Sequence, residues 1–301
     1  MRNKGAYIWM LLAKVGPQTI YLFATILLAR ILTPDEFGQV GVLAVFISIA
    51  STLNDAGLSG SLIKEQNVTT IDYATINIFN IGISTILYLC LFISAGFIEE
   101  YFNSPGLKNV TRSLGLVFLI NSISTVPRAK LYKELKFRTI SWISLVSVTI
   151  SCVMAIVAAH LNAGVYSLVI YQLLMASIAG LLIIVKSKYR FTLKFSIDSL
   201  KRLMSFGVYT TLSNIVDNIY ENILVFVFGK ALDIKQAGYL AQAKKLDDAA
   251  VAGCKDTVNS VSFPVLTKLQ FERDKFIAES GSILANSCRL LITVFLTVCI
   301  F

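Results

Sequence analysis

Charge is scarce in this chain. Only 15% of its 301 residues are Asp, Glu, Lys or Arg, against 55% hydrophobic residues. A soluble domain carries about 25% charge, so the ionised groups here are too few to cover a globular surface. Histidine is scarcer still, with His160 the single copy. That removes most zinc sites, Ser-His-Asp chemistry of the usual kind and His-based proton relays. The five cysteines, Cys90, Cys152, Cys254, Cys288 and Cys299, form no CxxC pair and mostly sit in apolar runs, where they read as small buried hydrophobes. A Walker loop, an Asp-x-Asp pair for a metal-bound sugar nucleotide and an HExxH helix are all missing. The expectation is therefore no enzyme, no metal and no cofactor.

What the chain does have is long apolar sequence, with a mean hydropathy of +0.71. A bilayer core of about 30 Å needs roughly 20 apolar residues per helix. That ruler places spans at residues 6–32, 39–63, 73–98, 110–126, 140–160, 165–185 and 206–228. An eighth at 237–266 is far more polar, and a ninth opens near residue 290 and is cut off at 301. The basic N-terminus precedes an apolar stretch too long for a signal peptide and without an A-x-A cleavage pattern, so it reads as a retained first span. The fold class is all-α, a polytopic transmembrane helix bundle with about eight full spans and a partial ninth.

The net charge of +9 and pI near 9.3 follow from where the basic residues lie. With the N-terminus in the cytoplasm, inner segments collect Arg2, Lys4, Lys64, the run from Arg128 to Arg138, Lys186, Lys188, Arg190, Lys194, Lys201, Arg202, Lys268, Arg273 and Lys275. Outer segments hold only Lys108, Lys230 and Lys235. Such a bias sets orientation and makes nucleic acid an unneeded partner, since no soluble segment exceeds a short loop. An even number of crossings before Lys268 keeps the polar eighth span. Asn67-Val68-Thr69 and Asn109-Val110-Thr111 match glycosylation acceptors; the first is placed in the cytoplasm, and both are read as chance.

Residues 29–38 align with residues 229–238 at an offset of 200: Leu32 with Leu232, Gly38 with Gly238, Arg30 with Lys230 and Glu36 with Gln236. Both copies join two spans on the same side of the membrane, with an even number of helices between them. The halves are therefore parallel repeats about an axis along the membrane normal. The implied division is a six-helix lobe at 1–190, a cytoplasmic linker at 191–205 and an incomplete second lobe at 206–301, as in a C-terminally truncated chain.

Polar residues inside the spans mark the chemistry. The first span carries Lys14, Gln18, Tyr21 and Thr25 at helical spacing beside the Gly16-Pro17 kink. A charge at the depth of Lys14 costs on the order of 3 kcal/mol unless it meets water or a partner. In the seventh span Asn214, Asp217, Asn218, Glu221 and Asn222 recur at three- and four-residue steps, and such groups cannot face lipid. The eighth places Lys244, Asp248, Lys255 and Asn259 on one face, with Lys245 and Asp256 close by. Interhelical hydrogen bonding explains the amides as well as a cavity does, but explains paired acids poorly. The three spans are expected to border one aqueous cavity.

Leu28-Ala29-Arg30-Ile31-Leu32-Thr33-Pro34-Asp35-Glu36-Phe37-Gly38 resembles a segment of bacterial polysaccharide and O-antigen flippases, the lipopolysaccharide biosynthesis oligosaccharide transporters of the multidrug/oligosaccharidyl-lipid/polysaccharide (MOP) superfamily. Asp55-Ala56-Gly57-Leu58-Ser59, Phe206-Gly207, Gly238-Tyr239 and Phe263-Pro264 add to the likeness. The resemblance implies two six-helix lobes around a cavity that opens alternately to each side, in the bacterial cytoplasmic membrane. It also implies a cargo of undecaprenyl-pyrophosphate-linked oligosaccharide. Members commonly have twelve to fourteen spans, more than this chain holds. On that reading Lys14, Lys244, Lys245 and Lys255 meet the diphosphate, while Gln18, Asn214 and Asn218 meet the glycan. Asp217, Glu221 and Asp248 take the coupling H+ or Na+. The alternatives are a cation-coupled drug antiporter of the same superfamily and a non-catalytic membrane subunit. A glycan polymerase or ligase would need a larger periplasmic loop.

Overall fold

The structure, a computed structural model, describes residues 4–55, 57–189 and 191–244 and a few isolated helical positions between 266 and 285; the side chains of 4–15, 205, 206 and 210 lie outside that description. Among the described residues the fold is entirely helical. Eight helices run in order: α1 Lys4–Ala29, α2 Pro34–Asp55, α3 Leu58–Lys64, α4 Thr70–Phe102, α5 Leu107–Lys133, α6 Phe137–His160, α7 Tyr166–Ser187 and α8 Ile197–Ala231. A ninth, α9, begins at residue 234 and is described to 244. Each of the first seven expected spans has its helix. The eighth is described only at its start, and the ninth lies outside the described residues.

The segments 34–64, 70–102, 107–133, 137–160 and 166–187 are long and apolar enough to cross a membrane, and 16–29 is a shorter apolar stretch of α1. The chain is a multi-pass membrane protein. Its surface confirms the solvent: Ile93 is 79% exposed, Phe97 70% and Val185 69%. Such large apolar side chains on the outside of long helices need acyl chains around them. Buried residues include many small or hydroxylated ones, such as Ser84, Ser141, Ser147 and Ser151, which let helices approach closely where lipid supplies no hydrophobic drive.

One expected span is split. The segment 39–63 becomes α2 and α3, broken at Gly57, whose φ of 65° is left-handed. Only glycine takes that conformation freely. The Ser59 hydroxyl donates to the Asp55 carboxylate across the break. The start of α4 is set by a capping box, in which the Asp72 amide donates to Thr69 and the Asp72 carboxylate accepts from the Thr69 amide. Thr69 of the first apparent glycosylation acceptor is thus a helix cap.

In packing order, α1 lies on α6, α6 on α7, α7 on α5 and α5 on α4, while α2 sits against α4, α5 and α8. A stacked pair at 4.9 Å, Tyr21 and Tyr171, ties α1 to α7. Helix α8 starts inside the segment read as a linker, at a Ser196 cap whose side chain accepts from the Ser199 amide. The Ser196 amide itself donates to Thr75 Oγ1 of α4 at 3.0 Å.

Candidate functional site

A cavity of about 410 Å³ lies where α1, α2, α7, α8 and α9 converge. Its polar lining comes from five helices: Tyr21 of α1, Ser48 and Ser51 of α2, Gln172 of α7, Asn222 of α8 and Lys244 of α9. Ile47, Val225 and Ala241 are among its apolar walls. Helical periodicity brings each of these polar residues to the inner face of its helix.

Two hydrogen-bonded steps join α8 to α2 along one side. Asn222 Nδ2 donates to Ser48 Oγ at 3.3 Å and to the Asn218 carbonyl at 2.9 Å. One turn earlier, Asn218 Nδ2 donates to Thr52 Oγ1 and to the Asn214 carbonyl, both at 2.7 Å. Lys244 completes the upper step. Its Nζ donates to Asn222 Oδ1 at 3.3 Å and to the Glu221 carbonyl. The ammonium is thereby held at the cavity wall by a side-chain amide and a backbone carbonyl, and neither carries a full negative charge. A cation so placed retains attraction for an anion brought into the cavity.

A second cavity of about 210 Å³ lies between α1 and α9, lined by Gln18, Tyr21, Thr25, Arg30 and Gln242 among others. Tyr21 borders both cavities. Gln18 and Thr25 of the polar stripe expected on the first span therefore face α9.

The residues singled out from sequence divide as follows. Lys244 reaches the larger cavity, Gln18 the smaller, and Asn218 the α2–α8 contact beside them. Asn214 is exposed and enters the network through its carbonyl. Asp217 and Glu221 are exposed on α8. Glu221 contributes its carbonyl to Lys244. Backbone at Lys14 is helical, but its side chain, and all of Lys245, Asp248 and Lys255, fall outside the described residues. Ser48, Ser51 and Thr52 of α2 and Gln172 of α7 were not singled out from sequence. Thr52 and Ser51 also donate to the Ser48 carbonyl, at 3.0 and 2.8 Å, so in sequence they look like ordinary self-satisfied helix hydroxyls.

Against known proteins, the family described as "Polysaccharide biosynthesis protein" matches residues 27–301. The chain is 25% identical over 269 residues to the lipopolysaccharide biosynthesis protein WzxC of Escherichia coli K12, covering 89% of this chain and 55% of that one. It is 25% identical over 266 residues to the teichuronic acid biosynthesis protein TuaB of Bacillus subtilis 168, with 88% and 55% covered. The succinoglycan biosynthesis transport protein ExoT of Rhizobium meliloti is 24% identical over 276 residues, with 91% and 55% covered. The chain thus spans about half the length of the curated relatives it matches. Among solved structures, the inward-facing conformation of a multidrug resistance MATE family transporter of the MOP superfamily shares the fold. Its TM-score is 0.61 at 18% identity, over 93% of this chain and 68% of that one.

Proposed function

Because this chain belongs to the polysaccharide biosynthesis protein family over residues 27–301, we propose that its protein flips lipid-linked oligosaccharide repeat units across the bacterial cytoplasmic membrane by alternating access. The observation that carries this reading is the cavity itself: a lysine, two amides and two serines gathered inside a membrane bundle. A glycan needs amide and hydroxyl partners, and a polyprenyl diphosphate needs a cation within the membrane. Asn222, Gln172, Ser48 and Ser51 supply the first and Lys244 the second. Lys14, Lys245 and Lys255 are further candidates for the diphosphate, with Gln18, Asn214 and Asn218 for the sugars. Asp217, Glu221 and Asp248 are candidates for H+ or Na+ coupling.

The lobes are residues 1–190 and 206–301 joined through 191–205, whose part from Ile197 is the start of α8. The Lys and Arg of the segments 128–138 and 186–194 support a cytoplasmic location for that end of the bundle, with the N-terminus. The turns at 30–33, 103–106, 161–165 and 232–233 then face outward.

The experiment is complementation of cells lacking the full-length protein, scored by surface polysaccharide and by accumulated lipid-linked repeat unit. Wild-type protein restores export, Lys244→Arg restores it in part, and Lys244→Glu does not restore it. Full restoration by Lys244→Glu removes the lysine from the diphosphate site, and Lys14→Glu tests the first span in the same way. Unchanged export after Asp217→Asn with Glu221→Gln removes the coupling role. Drug–cation antiport is the second reading, favoured by the fold shared with a multidrug transporter. A cationic drug would meet repulsion from Lys244, and normal surface polysaccharide with raised drug sensitivity in the deletion strain would decide for antiport.

A further inference from the structure

Helices α2 and α9 touch backbone to backbone. A Cβ added to Gly38 would sit 2.1 Å from the Ile234 carbonyl oxygen, and one added to Gly238 would sit 2.0 Å from the Pro34 carbonyl oxygen and 3.1 Å from the Gly38 amide nitrogen. Neither position has room for any side chain. One turn further, a Cβ on Gly41 would lie 2.9 Å from the Ala241 Cβ.

These contacts are reciprocal. Position 38 meets 234 and position 238 meets 34, while 41 meets 241. All are equivalent at the 200-residue offset of the sequence repeat. When i meets j′ and i′ meets j, the contact is isologous and a two-fold axis passes through it. Here the axis is internal and relates two copies of a repeat within one chain. Its place is the Gly38–Gly238 seam.

The seam borders the larger cavity. Gly41 and Ala241 belong to both, and Val42, Ile234, Ala237 and Phe102 share one buried apolar cluster. Phe226 of α8 meets Phe102 edge-on at 5.4 Å and Phe46 at 5.8 Å. Gly229, the first residue of the second repeat copy, would drive a Cβ to 2.5 Å from Val42 Cγ1. Contacts made by backbone, glycine, alanine and aromatic rings can part without leaving a buried charge unpaired, which a closure that must reopen requires.

We propose that the Gly38–Gly238 seam is the outer gate of the transport cycle, shut in this structure, and that it opens by the two halves tilting apart symmetrically on either side of the internal two-fold. A side chain wedged in at either glycine then favours the outward-open state. The proposal takes its direction from the transport reading, but accessibility of the cavity is measured without any cargo.

The test uses full-length protein with its cysteines replaced and a reporter at Ser48→Cys, labelled by a membrane-impermeant maleimide added outside spheroplasts. Gly238→Leu and Gly38→Leu are expected to raise the labelling rate on the order of tenfold. Gly82→Leu, at a helical glycine with open space around it, leaves the rate unchanged. In the opposite direction, Gly41→Cys with Ala241→Cys brings two thiols within disulfide reach. Oxidation is expected to stop polysaccharide export, and reductant to restore it. Unchanged labelling in both leucine variants, with protein present in the membrane, overturns the gate, as does export that continues through an oxidised 41–241 pair. If labelling rises as expected while deletion leaves surface polysaccharide intact, the gate stands and the cargo assignment falls.

Discussion

Helix α8 is tied to the first seven helices at both ends, and the two ties are chemically opposite. Near its start the tie is polar. Arg202 makes two 2.9 Å contacts to the Asp72 carboxylate, Ser61 Oγ donates to the Leu203 carbonyl at 2.7 Å, and the Ser196 amide meets Thr75. Near its end, and on into α9, the tie is mostly apolar and so close that glycine is required, with Lys230 Nζ donating to the Tyr101 carbonyl at 2.7 Å as a polar contact at its rim. Asp72 is 1% exposed, so losing Arg202 leaves a buried carboxylate with hydrogen bonds from Thr69 and Ser199 but without that countercharge. The glycine seam has no such penalty on opening, only lost dispersion contacts. The first tie therefore suits a permanent junction and the second a contact that breaks and reforms.

Several substitutions break or sharpen this contrast. The largest loss belongs to the seam. Gly38→Ala or Gly238→Ala forces backbone apart and is expected to lower stability by about 3 kcal/mol, read as thermal unfolding of full-length protein in detergent. Next comes the polar tie. Arg202→Ala should cost about 1 kcal/mol, because Asp72 stays buried with Thr69 and Ser199 as hydrogen-bond partners but loses its ion pair to a half-exposed guanidinium. The guanidinium is half-exposed, so raising salt to about 1 M should shrink that difference, whereas the effect at the glycines should not fade. Smaller again is Asn218→Ala, which removes the 2.7 Å bond to Thr52. Interhelical bonds of this kind contribute about 0.6 kcal/mol, and a double-mutant cycle with Thr52→Val should return a coupling of that size. Gly82→Ala closes the series. Its Cβ meets open space, so helix propensity should raise stability by up to about 1 kcal/mol. A loss there equal to that at Gly238 would erase the distinction between a tight seam and an ordinary helical glycine.

Legibility from sequence followed the range of the forces involved. The helices were readable because a long apolar run is stable only as a helix in lipid, a property each segment carries alone. Gly57 lies in a recognisable motif, yet the break it makes in the second span is invisible in sequence, since a left-handed glycine inside an apolar run leaves no periodic signature. In the seventh span the polar stripe was visible, but its division was not. Asn218 and Asn222 turn to α2 while Asp217 and Glu221 remain exposed, because a helix's own pattern does not say which neighbour covers which edge. Ser48 and Thr52 leave no sign in sequence, because a hydroxyl that can bond its own helix, as Ser48 does to the Val45 carbonyl and Thr52 to the Ser48 carbonyl, shows no unmet demand. Arg202 and Asp72, 130 residues apart, gave no local signal at all.

Composition and hydropathy determined by themselves that this chain lives in a bilayer and roughly where its first seven spans run, and a comparison of residues 29–38 with 229–238 suggested a repeat. Those are sums over single helices, or comparisons between them. Tertiary structure decided that the copies touch each other at Gly38 and Gly238, and that Lys244 closes on Asn222 at a cavity wall. Such contacts depend on the rotation and axial register of one helix against another, and a shift of an ångström would undo them while leaving every helix intact.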